Sequence, residues 1–275
     1  MKIKLLSLMI ILIILNSCEL DNNLFNPEKI NEYKLPGNTI PDSLIEEVAI
    51  DSDGNKIYGI WISSNGDRPG ITILYCHGNK HNIDEYWDRV MLLHDLGINI
   101  FIFDYRGYGK SEGESTEAGI YADSETALEY VQSRPEYDSD SLCYYGYSLG
   151  NVGSIYLAAN IQDPLCLFSE APFASANSLI QGSLILDIPP RWLMEGTFDN
   201  AKNIKKINTS FMLFHGKDDD FVRFRDNGKV VYNAAPNPKE LVLVQNAHHT
   251  NVPFKMGKEN YLNKMEKWIQ FSIQQ

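Results

Sequence analysis

The sequence has few basic side chains, few cysteines and no apolar run of the length expected for a transmembrane helix. It contains 24 lysines and arginines against 36 aspartates and glutamates, for a formal net charge of −12. Because an acidic surface repels phosphate backbones, we expect no nucleic-acid partner. The four cysteines and six histidines match no metal-ligand spacing. We therefore expect neither a metal site nor a cofactor.

Low-complexity tracts are also absent, and the composition is that of a folded chain. Apolar residues make up 44% of the 275 residues and charged residues 22%. That apolar content is enough for one sizeable core. Three cysteines, Cys76, Cys143 and Cys166, stand in apolar runs typical of central strands. We expect them to be small buried side chains, with a disulfide between two of them as the alternative.

The N-terminus differs in character from the rest of the chain. Two lysines precede the apolar run Leu5–Leu15, which ends in Leu15-Asn16-Ser17-Cys18. The run suits the core of a signal peptide, and its end resembles a bacterial lipobox. We expect cleavage after residue 17 and a lipid on Cys18, which would anchor the protein to a membrane of a bacterial cell envelope, facing the periplasm or the surface. The alternative is an ordinary secretory signal with a chance cysteine.

The remainder divides into a polar tether and one domain. Residues 18–42 contain Asn, Pro and Gly and are predicted to connect the lipid to a domain that spans 43–275. The domain starts with two strand-like runs, Leu44–Ile50 and Lys56–Ile62. They flank an Asp-Gly pair, which predicts a hairpin turn.

From Ile71 onward, short apolar runs alternate with longer amphipathic ones. Continuous apolar strands between helices indicate a mostly parallel, doubly wound sheet with helices on both faces. The predicted strands are Ile71–Cys76, Ile98–Phe103, Ser141–Tyr145, Leu165–Phe168, Ser210–Phe214 and Leu241–Val244. The predicted helices are Asp84–Leu96, Glu117–Ser133, Leu149–Asn160, Phe224–Asn233 and Lys255–Phe271.

One long segment interrupts this alternation. Residues 171–208 contain three prolines and many bulky apolar side chains. An insertion of this length between two strands favours a lid, and its apolar residues would line an acyl pocket. Simple packing over the edge of the sheet is the alternative.

The first chemical motif is Gly146-Tyr147-Ser148-Leu149-Gly150, which fits G-x-S-x-G. An apolar strand precedes it and a helical pattern follows it, as a nucleophile elbow requires. The serine would sit on a sharp turn, so small residues are needed two positions to either side. The pattern predicts Ser148 as a nucleophile.

A serine hydroxyl needs a base, and the base needs an acid to orient it. Asp218-Asp219-Asp220 follows the strand Ser210–Phe214, and His248-His249 follows the last strand. Both groups stand after the carboxyl ends of strands, where sites form in open α/β sheets. Their order, Ser then Asp then His, is the α/β-hydrolase order.

An oxyanion hole needs two backbone N–H groups near the serine. One is expected from Leu149, directly after the nucleophile. The other is expected from Asn79 in the loop after strand Ile71–Cys76, where Gly78 allows the backbone to approach closely.

Taken together, these motifs resemble the α/β-hydrolase superfamily, in particular its small single-domain esterases and acyl-protein thioesterases. The matching strings run in family order from about residue 44 to the C-terminus: Tyr75-Cys76-His77-Gly78-Asn79, Phe103-Asp104-Tyr105-Arg106-Gly107-Tyr108-Gly109-Lys110-Ser111, the Ser148 elbow, Glu170-Ala171-Pro172-Phe173, His215-Gly216-Lys217-Asp218-Asp219 and His248-His249. The resemblance implies an α/β-hydrolase fold with a short lid.

The resemblance also implies which acid and which histidine act. The family acid stands three residues after the His-Gly pair, which selects Asp219. The family histidine usually follows Gly-x-Gly, and Asn246-Ala247-His248 stands here instead. His249 then aligns as the catalytic histidine, with His248 as the alternative.

The function expected from this pattern is that of a serine hydrolase. It would cleave carboxylic ester or thioester bonds of a small or lipid-like substrate through an acyl-enzyme. A serine peptidase of the same fold is less favoured, since the sequence has no propeller domain and no evident amine-binding carboxylates. A catalytically inactive lipoprotein that binds a partner is the third possibility, and it would have no need of three correctly placed groups.

Overall fold

The computed structural model describes residues 25–66, 68, 70–181 and 197–275. The predicted signal peptide 1–17, Cys18 and the central part of the predicted lid lie outside these residues, so lipid attachment stays a prediction. Within the described ranges, no helix has the length and apolar character needed to cross a membrane.

The described residues form ten strands, eight of which make one large sheet. In chain order they are β1 (Asn26–Pro27), β2 (Ile45–Ser52), β3 (Asn55–Ile62), β4 (Thr72–Cys76), β5 (Lys80–His81), β6 (Asn99–Phe103), β7 (Leu142–Tyr147), β8 (Cys166–Glu170), β9 (Ser210–Gly216) and β10 (Lys239–Val244). The helices of this part of the chain are α1 (Trp87–His94), α2 (Glu117–Ser133), α3 (Gly150–Asn160), α4 (Ala176–Gln181), α5 (Asn200–Asn203), α6 (Gly228–Ala234), α7 (Val252–Met256) and α8 (Lys258–Ile273).

The order of strands in the large sheet is β10-β9-β8-β7-β4-β6-β3-β2. All neighbours pair in parallel except that β3 is antiparallel to both β2 and β6. From β4 the chain first moves outward to β6 and then returns to β7 on the other side of β4. The predicted doubly wound, mostly parallel sheet is therefore confirmed. The direction in which successive strands are added to the sheet reverses between β4 and β7. Ligands bind at such a switch point, outside the carboxyl ends of the strands.

The sheet is buried on both faces because its central strands alternate their side chains between two apolar clusters. In β4, Leu74 packs into the cluster beneath α2 and α3, whereas Tyr75 packs into the cluster beneath α1 and α8. This double burial is why the strands are continuous apolar runs. The three cysteines of the described chain are buried and free, and the sulfurs of Cys143 and Cys166 lie 3.3 Å apart on neighbouring strands.

The predictions of turns and helix ends agree best with the structure where a turn residue fixes the backbone conformation. The β2–β3 hairpin turns at Asp53 and Gly54, which have φ of 51° and 77°, as its Asp-Gly pair predicted. The C-terminal helix predicted over 255–271 is present as α8, but it begins at Lys258, after the separate short helix α7. Gly257, at φ 87°, separates α7 from α8, since a helix cannot continue through that conformation.

The described part of the predicted tether, 25–42, lies against the domain. Phe25 and Ile40 are buried, and β1 pairs with β5 directly after the Asn79 loop. The Tyr33 hydroxyl donates to Asp104 Oδ2 at 2.7 Å. These contacts place the start of the described chain beside the switch point.

Candidate active site

Ser148 stands at a sharp turn between β7 and α3, directly at the switch point. Its φ is +52°, a left-handed conformation that costs a non-glycine residue about 1–3 kcal/mol. The turn is held by the Ser148 N–H, which donates to the backbone oxygen of Glu170 at 2.9 Å. The strained turn presents the side chain above the edge of the sheet, as the sequence pattern predicted.

Two glycines make this turn possible through close backbone approaches. A Cβ on Gly146 would lie 2.2 Å from Ser154 Oγ, and one on Gly150 would lie 1.9 Å from the backbone oxygen of Cys76. Both distances are far below van der Waals contact. The prediction that small residues flank the serine is thus confirmed, because α3 packs directly on β7 and β4 here.

A chain of hydrogen bonds joins Ser148 to His249 and His249 to Asp219. His249 Nε2 lies 2.9 Å from Ser148 Oγ, and His249 Nδ1 lies 2.8 Å from Asp219 Oδ2. Because an ionised carboxylate only accepts, Nδ1 carries the proton and donates to Asp219. Nε2 is then left with a lone pair that accepts from the serine hydroxyl. This is the arrangement required to draw a proton from Ser148.

Asp219 is buried and yet held in its charged form. Burial alone would raise its pKa, but hydrogen bonds from His215 and His249 and from the backbone N–H of Val222 hold the pKa well below its usual range. Its other oxygen, Oδ1, accepts from the N–H groups of Phe221 at 3.0 Å and Val222 at 2.8 Å. The carboxylate is therefore ionised throughout the neutral range and fixed in orientation.

The two neighbouring histidines differ sharply in position. His248 is exposed, and its backbone N–H donates to Asn251 Oδ1 at 2.8 Å. His249 is partly buried and faces Ser148. The loops that carry Asp219 and His249 are tied together, since the Asp218 N–H donates to the Ala247 oxygen at 3.0 Å.

The two residues expected to form the oxyanion hole lie near the serine. Leu149 is buried and immediately precedes α3, so its N–H belongs to the helix N-terminus, where backbone dipoles favour negative charge. Asn79 follows β4 and lines the same cavity as Ser148. The Asn79 side-chain oxygen accepts from the Tyr108 hydroxyl at 2.6 Å and from the Asn26 N–H at 3.2 Å, which fixes this loop.

A cavity of about 540 Å³ opens above Ser148 and His249. Its other lining residues come from β1, from the segment between β4 and α1, from α1, from β7, from the loops that carry Asp219 and His249, and from α7. They are Asn26, Asn79, Lys80, Glu85, Tyr86, Asp88, Arg89, Tyr147, Phe221, Thr250 and Phe254. None of the described residues of 171–208, the segment expected to line an acyl pocket, is among them. Across the described ranges, no group of three or more His, Cys, Asp or Glu side chains could hold a metal ion.

A buried ion pair between Arg89 and Glu170 lies at this cavity and connects the turn that carries Ser148 to the loop that carries His249. Arg89 of α1 donates through Nη2 to Glu170 Oε1 at 3.0 Å and to the backbone oxygen of Thr250 at 2.7 Å. Burial lowers the pKa of Arg89, but the Glu170 carboxylate together with the neighbouring tyrosines holds the pKa above its usual range. Glu170 also accepts from the Tyr145 hydroxyl, and its backbone oxygen holds Ser148. One guanidinium thus links the serine turn to the histidine loop.

Replacement of Arg89 by methionine is expected to lower the free energy of unfolding by about 3–5 kcal/mol, because Glu170 would stay buried without its cation. Urea unfolding measures the loss. The double variant Arg89→Met with Glu170→Gln is expected to recover much of it, since no lone charge remains. A double variant no more stable than Arg89→Met would contradict this explanation.

Several residues of the site carry no recognisable signal in the sequence. Arg89 stands beside other charged residues in the predicted helix 84–96, and Tyr147 occupies a variable position of the elbow motif. The guanidinium carbon of Arg89 lies 4.1 Å from the centre of the Tyr147 ring, and the Tyr147 hydroxyl donates to the His249 oxygen at 3.2 Å. A basic residue on the buried face of α1 was the only available hint.

Similar proteins support the interpretation of the fold. Residues 71–206 match the model of a family described as alpha/beta hydrolase fold. The chain is 29% identical over 227 residues to the protein YfhR of Escherichia coli K12, with 79% of this chain and 77% of YfhR covered. It is 28% identical over 207 residues to the protein Rv2307c of Mycobacterium tuberculosis, with 75% and 72% covered. Both relatives are described as uncharacterized proteins.

Solved structures with the same architecture include two esterases. The esterase Pf2001 of Pyrococcus furiosus superposes with a TM-score of 0.69 at 21% identity and covers 90% of this chain and 99% of its own. An acetyl xylan esterase from Paenibacillus sp. R4 superposes with a TM-score of 0.67 at 20% identity, with 85% and 86% covered. At these identities the likeness concerns the fold.

Proposed function

Because this chain has the α/β-hydrolase fold, we propose that it is a serine hydrolase that cleaves carboxylic ester or thioester bonds. The observation that carries the proposal is the hydrogen-bonded chain from Ser148 through His249 to Asp219, at the switch point of the sheet. Two structural neighbours, the Pyrococcus furiosus and Paenibacillus proteins, are esterases, which supports the proposal. Membrane attachment through Cys18 stays a prediction from the leader sequence.

The proposed mechanism follows from the protonation states of the three groups. Ser148 Oγ attacks the carbonyl carbon while its proton passes to His249 Nε2, and Asp219 stabilises the imidazolium that forms. The backbone N–H groups of Asn79 and Leu149 are proposed to stabilise the oxyanion. The imidazolium then protonates the leaving alcohol or thiol, and an acyl group remains on Ser148. Water, activated by the same histidine, releases it.

Covalent labelling tests the proposal on the unaltered protein. A fluorophosphonate reacts when an activated serine oxygen bonds to phosphorus and fluoride leaves, with the proton taken up by the base. We expect one label per chain, mapped by mass spectrometry to the peptide that carries Ser148. A label on another residue, or none on folded protein, would contradict the assignment. Heat-unfolded protein is the control and should not react.

Peptidase activity has less support, although the cavity does contain two carboxylates. Lys80 Nζ binds Glu85 at 2.5 Å, and the Asp88 carboxylate accepts from the Arg89 N–H at 2.7 Å, with Arg89 Nη1 at 3.8 Å. Each acidic group already has a cationic neighbour. Neither offers an uncompensated charge to the free amine of a peptide.

A further inference from the structure

The cavity above Ser148 has an unusual rim. Among the described residues, the large apolar side chains classed as exposed are Ile161, Phe221, Val230, Phe254 and Ile273. Phe221 is 65% exposed and Phe254 is 48% exposed, and both line the cavity with Ser148. The two aromatic members of the exposed set therefore occur at the site, where a ligand would cover them.

These two rings form the ends of a continuous series of flat groups. The Phe221 ring centre lies 5.1 Å from that of His249, and the His249 ring centre lies 5.5 Å from that of Tyr147. The Arg89 guanidinium carbon lies 4.1 Å from the Tyr147 ring centre and 6.0 Å from that of Phe254. We call these five residues the aromatic band. Its middle is buried or partly buried, and its two ends are open to the cavity.

The aromatic band is expected to bind a planar aryl ring more tightly than an alkyl or cyclohexyl group of equal size. An alkyl or cyclohexyl group gains only from apolar surface removed from water. A planar aryl ring gains this as well as edge-to-face or offset stacking with the phenylalanine rings. It also gains from the Arg89 guanidinium, which lies between the Tyr147 and Phe254 rings. Since Phe221 contacts the His249 ring itself, an aryl ring bound against Phe221 lies close to the reacting ester.

We propose that the preferred substrates are esters that carry an aryl group, and that Phe221 and Phe254 are the residues that select it. The proposal rests on the proposed function and refines it to a substrate class. The aryl ring belongs either to the acyl part or to the alcohol part of the ester. The experiment below tests each possibility with its own pair of esters.

The experiment compares matched ester pairs in which a methylene separates the ring from the reacting group. Each kcat/KM is divided by the rate constant for alkaline hydrolysis of the same ester, because the phenyl group raises the intrinsic reactivity of the ester, and these normalised values are compared. The acyl arm uses methyl phenylacetate against methyl cyclohexylacetate, and the alcohol arm uses benzyl acetate against cyclohexylmethyl acetate. We expect kcat/KM to be about 2- to 10-fold higher for the aryl member in at least one arm. Equal values in both arms would overturn the proposal.

Variants assign the preference to the two rings. Phe221→Leu and Phe254→Leu keep an apolar side chain and are expected to raise KM for the aryl member more than for the cyclohexyl member. The double variant should reduce the preference to less than about 2-fold. Ile273→Ala, an exposed apolar side chain on α8 outside the cavity, is the matched control and should leave the preference unchanged. A full preference in the double variant would overturn the proposal.

Two further measurements separate this proposal from its alternatives. The Ser148→Ala variant should bind N-methylphenylacetamide about 2- to 10-fold more tightly than N-methylcyclohexylacetamide in calorimetry, whether or not the wild type hydrolyses any ester. Equal affinities would overturn the aryl assignment, whereas absence of all hydrolysis would instead refute the proposed function. If the leucine variants lose binding to phosphatidylglycerol vesicles but keep the aryl preference, the rings contact lipid and the proposal is wrong.

Discussion

Replacement of Ser148 by alanine is expected to reduce kcat for hydrolysis of p-nitrophenyl butyrate by about 10⁵- to 10⁶-fold. In the part of the chain that the structure describes, His249 Nε2 contacts the Ser148 hydroxyl at 2.9 Å, so the variant would lack the oxygen proposed to form the acyl intermediate. The residual activity of the variant would come from the helix N-terminus and the cavity, which stabilise charge but cannot form a covalent bond with the substrate. Steady-state kinetics on purified protein measure the loss.

The matched control is Ser124→Ala, which removes another buried hydroxyl from α2, away from the cavity. It should retain nearly full activity. Circular dichroism and urea unfolding should show that Ser148→Ala is folded, because alanine and serine meet the same strain at φ +52°. Ser148→Gly relieves that strain and should be slightly more stable while equally inactive. Substantial hydrolysis by either folded Ser148 variant would remove this residue from the mechanism.

The parts of the site that the sequence predicted are those fixed by local backbone geometry. Gly146 and Gly150 are required because α3 touches β7 and β4, and this requirement leaves a readable pattern around Ser148. Asp219 was selected among three consecutive aspartates by the resemblance to the family, whose acid stands three residues after a His-Gly pair. The parallel sheet was predictable for the same reason, since strands buried on both faces leave uninterrupted apolar runs.

The parts that could not be predicted depend on contacts between distant segments. Arg89 reaches Thr250, 161 residues further along the chain, and no local pattern records that partner. Phe221 and Phe254 look like ordinary core residues in the sequence, and only their exposure beside Ser148 distinguishes them. The apolar lining was expected instead from residues 171–208, because bulky side chains in a long insertion resemble a lid.

The choice between His248 and His249 also depends on a contact between distant segments, which the local sequence does not record. In an extended segment, neighbouring side chains point in opposite directions, so one of two histidines faces the site and the other faces solvent. The sequence alone does not show which of the two histidines faces the site, because the loop has no fixed register with a strand. The hydrogen bond from the Asp218 N–H to the Ala247 oxygen fixes the position of this loop, and His249 then faces Ser148.

We therefore expect His249→Ala and His248→Ala to differ by several orders of magnitude in activity. Loss of His249 removes the acceptor of the Ser148 proton and should lower kcat by about 10⁵- to 10⁶-fold, as in other triads. Loss of His248, whose side chain is exposed, should change kcat/KM by less than about 3-fold, within the range of surface substitutions. Parallel steady-state assays measure both.

The same series tests whether His249 acts as a base or only holds the loop. Asp219→Asn should retain more activity than His249→Ala, with a loss of about 10⁴-fold, because the imidazole remains but its tautomer is no longer fixed. Free imidazole should partly restore hydrolysis by His249→Ala, since the cavity of about 540 Å³ can admit the missing ring. It should not restore Ser148→Ala, which has no nucleophile to activate. Inactivation by His248→Ala, with His249→Ala still active, would reverse the assignment, because the geometry allows only one imidazole to contact both Ser148 and Asp219.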